Sequence, residues 1–252
     1  MPVDFAARAT APLPGQAVTC QTCGLVTPDS WDGVPAQILS TLSTRKTIRT
    51  FRKGDTFFHE GDEVSALYRL LQGVVLLRKV DHDGNSIVTR MVVPYATFGF
   101  RAFATKERHT VTAQCASDVR VCCIPADVAE LAFANNRSLE RAFAQHVAHE
   151  LDYAEDAILA RMTLSMDDRL LLLFGQLVER FGQPEPDGSW SAEVPVLRRD
   201  LAAIVGIARE SFSRALARME AEDLLRFDGP LLRIPSIDKF RQAVTTATAR
   251  GP

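Results

Sequence analysis

A chain of 252 residues, 46% hydrophobic and 24% charged, holds enough apolar material for two modest cores, which excludes a wholly disordered protein. Its longest uninterrupted apolar run, Leu170 to Phe174, is far too short to cross a bilayer, and no basic stretch leads into an apolar core near Met1, so a cytoplasmic location is expected. The net charge of −2 is unevenly spread: residues 195–252 carry ten basic and seven acidic side chains, the remainder 19 and 24. A mildly basic end on an acidic body is compatible with a polyanionic partner for that end. Five cysteines in a cytoplasmic chain point to thiol or metal chemistry rather than a disulfide framework.

Residues 1–19, rich in Ala, Pro and Thr without a sustained period, read as a flexible leader. Cys20 and Cys23 then form a C-x-x-C, which can offer two thiolates to one metal or cluster, or act as an oxidisable dithiol. From Ile48 to Pro125 short aliphatic runs (Leu67–Leu71, Val74–Val80, Ile87–Val93) alternate with glycine turns, the pattern of a small β-barrel or sandwich, with Asp83-Gly84 as a hairpin turn. Residues 20–134 are therefore assigned to a cysteine segment and a β-rich domain.

A long helix is predicted over 135–164. Phe143, Val147, Leu151, Ala154 and Ile158 recur at intervals of three or four and make one narrow apolar seam suited to pairing with a second copy, while Glu150, Asp152, Glu155 and Asp156 make the remainder acidic. Ser165 and Asp168 have capping-box spacing, so a new helix is predicted from Ser165 to Phe181, ahead of Gly182. Pro184, Pro186 and Gly188 read as a loop. The stretch Arg198–Ala217 reads as a helix-turn-helix: Leu201, Val205, Ile207, Phe212 and Ala215 face one small core, Ala202 allows close crossing, and Gly206 permits a positive φ in the turn. Beyond it, Leu224–Phe227 and Leu231–Ile234 flank Asp228-Gly229-Pro230 as a β-hairpin wing. On the second helix, Arg209, Glu210, Ser213 and Arg214 lie on the face away from that core, a set with the chemistry to read base edges in a major groove.

In this order of parts the chain resembles the Crp/Fnr family of bacterial transcription regulators, closest to the Fnr-type branch. The resemblance runs from Cys20 to about Phe240 and is carried most specifically by Phe57–Val75, Val121–Pro125 and the helix-turn-helix. It implies an α+β protein: an N-terminal double-stranded β-roll sensor, a long dimerisation helix, and a C-terminal winged helix-turn-helix over 165–252. It also implies a homodimer bound to double-stranded DNA at an inverted repeat, with RNA polymerase as a partner where the output is activation. The segment Arg209 to Arg214 is similar both to the Fnr-type E-x-x-S-R and to the Crp-type R-E-x-x-x-R. Arg214 suits guanine and Glu210 suits cytosine, so a TGA-like half-site is expected, with Arg209 and Ser213 setting a flanking base. Arg198 and Arg199, at a helix start, are expected on phosphates. Ala208 departs from the hydroxyl cap expected before the second helix.

The resemblance offers several sensor chemistries. Fnr-type sensors hold a four-iron four-sulfur cluster; Cys20, Cys23 and Cys122 match three of its ligands, and Asp29 stands at the fourth position, where a carboxylate would be a harder ligand than thiolate. Cys115 or Cys123 are substitutes, although Cys123 should face the other side of its strand from Cys122. Ala154 occupies the seam position where Fnr-type sensors carry an aspartate, so dimerisation without a cluster is expected. A cyclic nucleotide would need a carboxylate where Phe98-Gly99 is followed by Phe100-Arg101, leaving only Arg108 for its phosphate. Haem would call on His59, His82, His146 or His149, without a C-x-x-C-H. No P-loop, nucleophile elbow or H-E-x-x-H supports an enzyme.

Overall fold

A computed structural model describes residues 36–80, 82, 86–134 and 136–250. After a helix α1 (Ala36–Arg45), eight strands build the roll: β1 (Thr47–Phe51), β2 (Thr56–Phe58), β3 (Ala66–Gln72), β4 (Val75–Val80), β5 (Ser86–Val92), β6 (Thr97–Phe98), β7 (Thr112–Cys115) and β8 (Val119–Pro125), with a short α2 (Phe100–Thr105) after β6. They form two four-stranded antiparallel sheets, in the orders β1-β8-β3-β6 and β2-β7-β4-β5. Alternation turns Tyr68, Leu70, Val75, Val92, Val121 and Cys123 into one shared core, each such apolar side chain contributing about 1.5–3 kcal/mol on burial. The turn expected at Asp83-Gly84 lies outside the described residues, but β4 and β5 flank it in antiparallel register.

Helix α3 (Ala126–Ala134) follows, and then α4 (Arg137–Thr163), the long helix. Asn136 caps it, its side-chain oxygen accepting from the Leu139 N–H at 2.9 Å, so the helix starts at Arg137. Leu164, extended at φ −91° and ψ 145°, ends it, and Ser165 caps α5 (Met166–Phe181) with its hydroxyl oxygen accepting from the Asp168 N–H at 3.1 Å. The run Leu170–Phe174 with Leu177 fills the core of the C-terminal domain.

Pro186 and Gly188 lie in a loop, as read, but the loop is the turn of a hairpin whose strands were not foreseen, and Pro184 ends the first of them. Residues on either side pair as β9 (Gly182–Pro184) and β10 (Trp190–Glu193), and with β11 (Arg226–Asp228) and β12 (Leu231–Ile234) they make a four-stranded wing sheet in the order β11-β12-β10-β9. Backbone pairing carries these strands, which are too short and too rich in Pro and Gly to show a period of two. Gly182 is required for close approach rather than for a left-handed cap: its φ is −74°, and a Cβ there would lie 2.2 Å from the Val178 carbonyl oxygen. Between β10 and β11 come α6 (Arg198–Val205) and α7 (Arg209–Ala221), and α8 (Ile237–Ala249) closes the chain against α5. The fold is α+β: roll, long helix, winged helix-turn-helix.

Candidate nucleic-acid interface

The turn between α6 and α7 is built by Gly206, which takes φ +73°, a backbone region costly for residues with a Cβ. Its N–H and that of Ile207 both close back on the Ala202 carbonyl. Two guanidiniums from preceding helices satisfy the last carbonyls of α6: Arg169 Nη1 donates to Val205 O at 3.1 Å and Arg161 Nη2 to Ile204 O at 3.4 Å. Cations at a helix C-terminus also meet its partial negative charge.

Helix α7 starts without a side-chain cap at Ala208, as its apolar residue type dictates. Phe212, Ala215, Leu216 and Met219 are buried beneath it. Arg209, Glu210, Ser213 and Arg214 all stand exposed on the opposite stripe. The Ser213 hydroxyl donates to the Arg209 carbonyl at 3.0 Å, which leaves its oxygen as an acceptor, and Arg214 folds back so that Nη2 donates to Ser211 Oγ at 3.2 Å. Ser211 was not foreseen from the sequence; its half-buried hydroxyl holds the Arg214 side chain, a contact visible only once the rotamer is known. Arg218, one turn further, forms two hydrogen bonds with Asp167 at the start of α5, at 2.6 and 3.1 Å. Arg198 and Arg199 are both exposed at the start of α6, with the Arg198 guanidinium over the Phe227 ring of the wing at 5.3 Å from its centroid.

On the long helix, Val147, Leu151 and Ile158 are 40, 59 and 56% exposed, and Tyr153, Leu159 and Met162 add further open apolar surface. Phe143 does not share that exposure: it turns toward the roll, edge-on to Phe133 at 5.1 Å and to Phe100 at 6.2 Å. Glu150, read as part of the solvated acidic face, also turns inward, onto Arg90 of β5 at 2.5 Å, with both side chains largely buried. Burial raises the Glu150 carboxyl while Arg90 opposes the rise, and burial lowers the Arg90 guanidinium while Glu150 opposes the fall.

This pair borders a cavity of about 60 Å³ between roll and long helix, to which Ala154, Tyr153 and His109 also contribute. The residues there do not fit a cyclic nucleotide. Phe100 is buried under His146, at 4.8 Å and edge-on, where a ribose carboxylate would be needed. Arg108 is spent on the Gly61 carbonyl and the Glu63 carboxylate, both at 2.9 Å. His109 stacks flat on Phe58 at 3.6 Å, its pKa lowered by burial against the opposing pull of Asp62.

Cys20, Cys23 and Asp29 lie outside the described residues. Cys122 and Cys123 face opposite sides of β8, as alternation requires: Cys123 joins Cys115 in the roll core, and Cys122 lies beneath Leu71 and Ile124. Burial pushes the Cys115 thiol up to about 12, helped by Asp55 and Asp118, and raises Cys123 against the opposing effects of Arg49 and Thr47. Both are poor thiolates. Among the described residues no three His, Cys, Asp or Glu side chains gather as a metal site; His59, His82 and His149 are exposed, and of the three His149 is the one on the same helix as His146.

Comparison with known proteins places these parts in two matched families: residues 48–136 match the cyclic nucleotide-binding domain and residues 168–243 the Crp-like helix-turn-helix domain. A roll that feeds a helix-turn-helix defines a transcription regulator rather than an enzyme. The chain belongs to the Crp/Fnr family. It is 25% identical over 231 residues to the fumarate nitrate reduction regulatory protein of Klebsiella oxytoca, covering 90% of this chain and 91% of that one. It is also 25% identical over 215 residues to the transcriptional activator protein FnrA of Stutzerimonas stutzeri, covering 85% and 86%. Among solved structures, FixK2 of Bradyrhizobium japonicum superposes with TM-score 0.69 at 21% identity, covering 79% of this chain and 96% of that one. A CRP/FNR-family transcriptional regulator of Thermus thermophilus gives 0.66 at 24%, covering 81% and 100%. Among the described residues no helix is long and apolar enough to cross a membrane.

Proposed function

We propose that this regulator works as a homodimer on an inverted repeat with a TGA-like half-site, and that its sensor responds to oxygen or redox state through a four-iron four-sulfur cluster held by Cys20, Cys23, Asp29 and Cys122. The observation that carries the DNA reading is the exposed stripe Arg209, Glu210, Ser213 and Arg214 on a helix whose other side is locked into a core. Arg214 offers two donors to guanine O6 and N7, Glu210 an acceptor to the cytosine amino group, and the alternatives at each position lose about 1–3 kcal/mol. Exposed Arg198 and Arg199 serve the phosphates. The open apolar row Val147, Leu151 and Ile158 supplies the pairing surface, and Ala154, half-buried at the cavity beside that row, adds no charge that would oppose a dimer formed without a cluster.

For the cluster, Cys122 is the one described cysteine turned away from the roll core, on the side of β8 under Leu71 and Ile124. Helix α1 ends next to β1, and β1 pairs Ile48 with Cys122. That helix of ten residues spans about 15 Å, and the seven Cα-to-Cα steps from Asp29 to Ala36 reach about 23 Å when extended, so the chain is long enough to return to Cys122. A cluster there would supply reversible one-electron and oxygen chemistry; the carboxylate at Asp29 would make that ligand the most easily lost.

Anaerobic reconstitution followed by gel-shift with an inverted TGA repeat tests both halves. Near four irons per protomer, a broad visible band bleached by air, and impaired loading in Asp29→Ala and Cys122→Ala support the cluster. Failure to take up iron, with intact binding to the repeat, removes the cluster and leaves a regulator whose Cys20–Cys23 dithiol is then the redox group. No shift in any redox state, with folded protein, removes the DNA reading.

A further inference from the structure

The DNA-reading domain is joined covalently to the long helix only through extended Leu164 and the Ser165 cap. It is nevertheless docked onto the sensor roll. Val74, Leu76, Val88 and Ala116 on the outer face of the roll share one buried cluster with Leu201 and Val205 of α6, and α6 lies across β5. In the middle of this contact Arg78 of β4 reaches Asp200 in the first turn of α6, Nη2 to Oδ1 at 2.8 Å, with the side chains 15% and 7% exposed. A second set of bonds holds the guanidinium in that orientation. Its Nε donates to Gln114 Oε1 at 3.2 Å, and Gln114 Nε2 in turn donates to the Gly54 carbonyl at 3.2 Å. Elsewhere in the same contact, Arg180 Nη2 donates to the Pro94 carbonyl at 2.6 Å and joins the far end of α5 to the roll.

We propose that Arg78, a residue of the sensor, is a positioning residue for DNA reading: its ion pair with Asp200 latches the reader onto its own roll and so helps set the separation of the two recognition helices in a dimer. This rests on the reading of the chain as a dimer on an inverted repeat. The turn connecting α6 to α7 has only three residues, Gly206 to Ala208, and closes back on the Ala202 carbonyl, so a displacement of α6 on the roll moves the exposed stripe with it. The latched position leaves Arg209, Glu210, Ser213 and Arg214 uncovered, so the latch holds a reader that is open to DNA rather than masked. Strand β5 carries the coupling further. Its Val88 faces the reader, and its Arg90 holds Glu150 of the long helix on the other face, so one strand touches both the pairing helix and the reading domain.

A single half-site needs one recognition helix; an inverted repeat needs two at fixed spacing, so a positioning role and a folding role differ in their DNA dependence. The test uses the full-length chain and a duplex selected by the wild-type protein from a random library, alongside the same duplex with one half-site scrambled. Arg78→Ala is expected to weaken binding to the repeat about tenfold, within the range of ordinary intersite couplings, and binding to the scrambled duplex less than twofold. Arg78→Lys, which keeps a cation for Asp200, should recover to within about threefold, and Arg78→Ala combined with Asp200→Asn should bind the repeat no worse than Arg78→Ala alone. Tighter binding by Arg78→Ala, unchanged binding, or an equal loss on both duplexes overturns the proposal. Amide exchange in β4 and α6 gives a reading without DNA: faster exchange in Arg78→Ala supports the latch and unchanged exchange overturns it. Failure of the wild type to select any repeat sinks the proposed function instead, with the exchange result still deciding the latch.

Discussion

The ion pair between Arg90 and Glu150 ties the roll to the long helix, and its energetics can be worked from burial. The side chains are 17% and 13% exposed, and one Arg90 nitrogen, Nη1, is buried without a hydrogen-bond partner among the described residues. Desolvation is the leading influence on both groups, lowering the arginine pKa and raising the glutamate pKa, each more than the partner restores. Burial opposes the charged form of both partners, and buried pairs of this kind add little net stability, so removal of the pair as a whole should be tolerated where removal of one member is not. Glu150→Gln leaves a guanidinium without its counterion. The usual penalty of about 3–5 kcal/mol for breaking a buried pair, discounted because water still reaches about a sixth of each side chain, becomes about 2–3 kcal/mol. For a chain of this size that is a fall in Tm of roughly 4–12 °C. The double variant Arg90→Met with Glu150→Leu should return to within about 1 kcal/mol of the wild type, or exceed it. Urea unfolding followed by far-ultraviolet circular dichroism, at one fixed protein concentration because the chain dimerises in our reading, measures both. A loss under about 0.5 kcal/mol in Glu150→Gln, or a double variant as unstable as that single one, would refute this account of the pair.

Three further outcomes follow from the same geometry. His146 has its pKa lowered to about 4, first by burial and then by Arg90, Arg69 and His149, so the unfolded chain binds this proton where the folded chain does not. Its contribution to stability is full above about pH 6.5 and declines as pH falls toward 4, at up to about 1.4 kcal/mol per unit; His146→Phe, which keeps the edge-on contact with Phe100, should flatten that part of the pH–stability curve, and an unaltered slope would contradict the assignment. Gly206→Ala should cost about 1 kcal/mol in urea unfolding from backbone strain alone, since the new Cβ meets only Arg161 Nε at an ordinary 3.5 Å. Glu210→Ala should relax preference at one base pair of each half-site by about 1–3 kcal/mol while leaving the salt dependence of binding unchanged, as read by competition gel-shift; uniform weakening on all sequences would assign Glu210 to a structural role.

What was legible in the sequence was whatever one chain segment specifies by itself. The period of α4, the Ser165 cap, Gly206 and the apolar set Leu201, Val205, Phe212 and Ala215 each announce a local geometry, and the structure supplies it. Strands β9 and β10 escaped because their pairing comes from the wing rather than from Gly182–Pro184 or Trp190–Glu193. Glu150 escaped for the opposite reason. Its spacing puts it beside the seam among Asp152, Glu155 and Asp156, and nothing local says that Arg90, sixty positions earlier, waits under that face of the helix. Arg78 and Asp200 were silent for the same cause: each is an ordinary surface charge until two domains meet.

These long-range pairs share a direction. Arg161, near the end of the long helix, reaches across the extended linker to the Ile204 carbonyl; Arg169 at the start of α5 takes Val205; Arg78 takes Asp200 at the other end of α6. Helix α6 is thus held at its C-terminus by the long helix and its successor and at its N-terminus by the roll. A helix held at both ends by different bodies cannot follow one without straining against the other. In the proposed latch, a rotation of the long helix or a shift of β4 and β5 against it reappears as a tilt of α6 and, through the Gly206 turn, as a change in where Arg209 and Arg214 point. On that proposal α7 follows the state of the roll without touching it, because α6 has contacts with both the roll and the long helix.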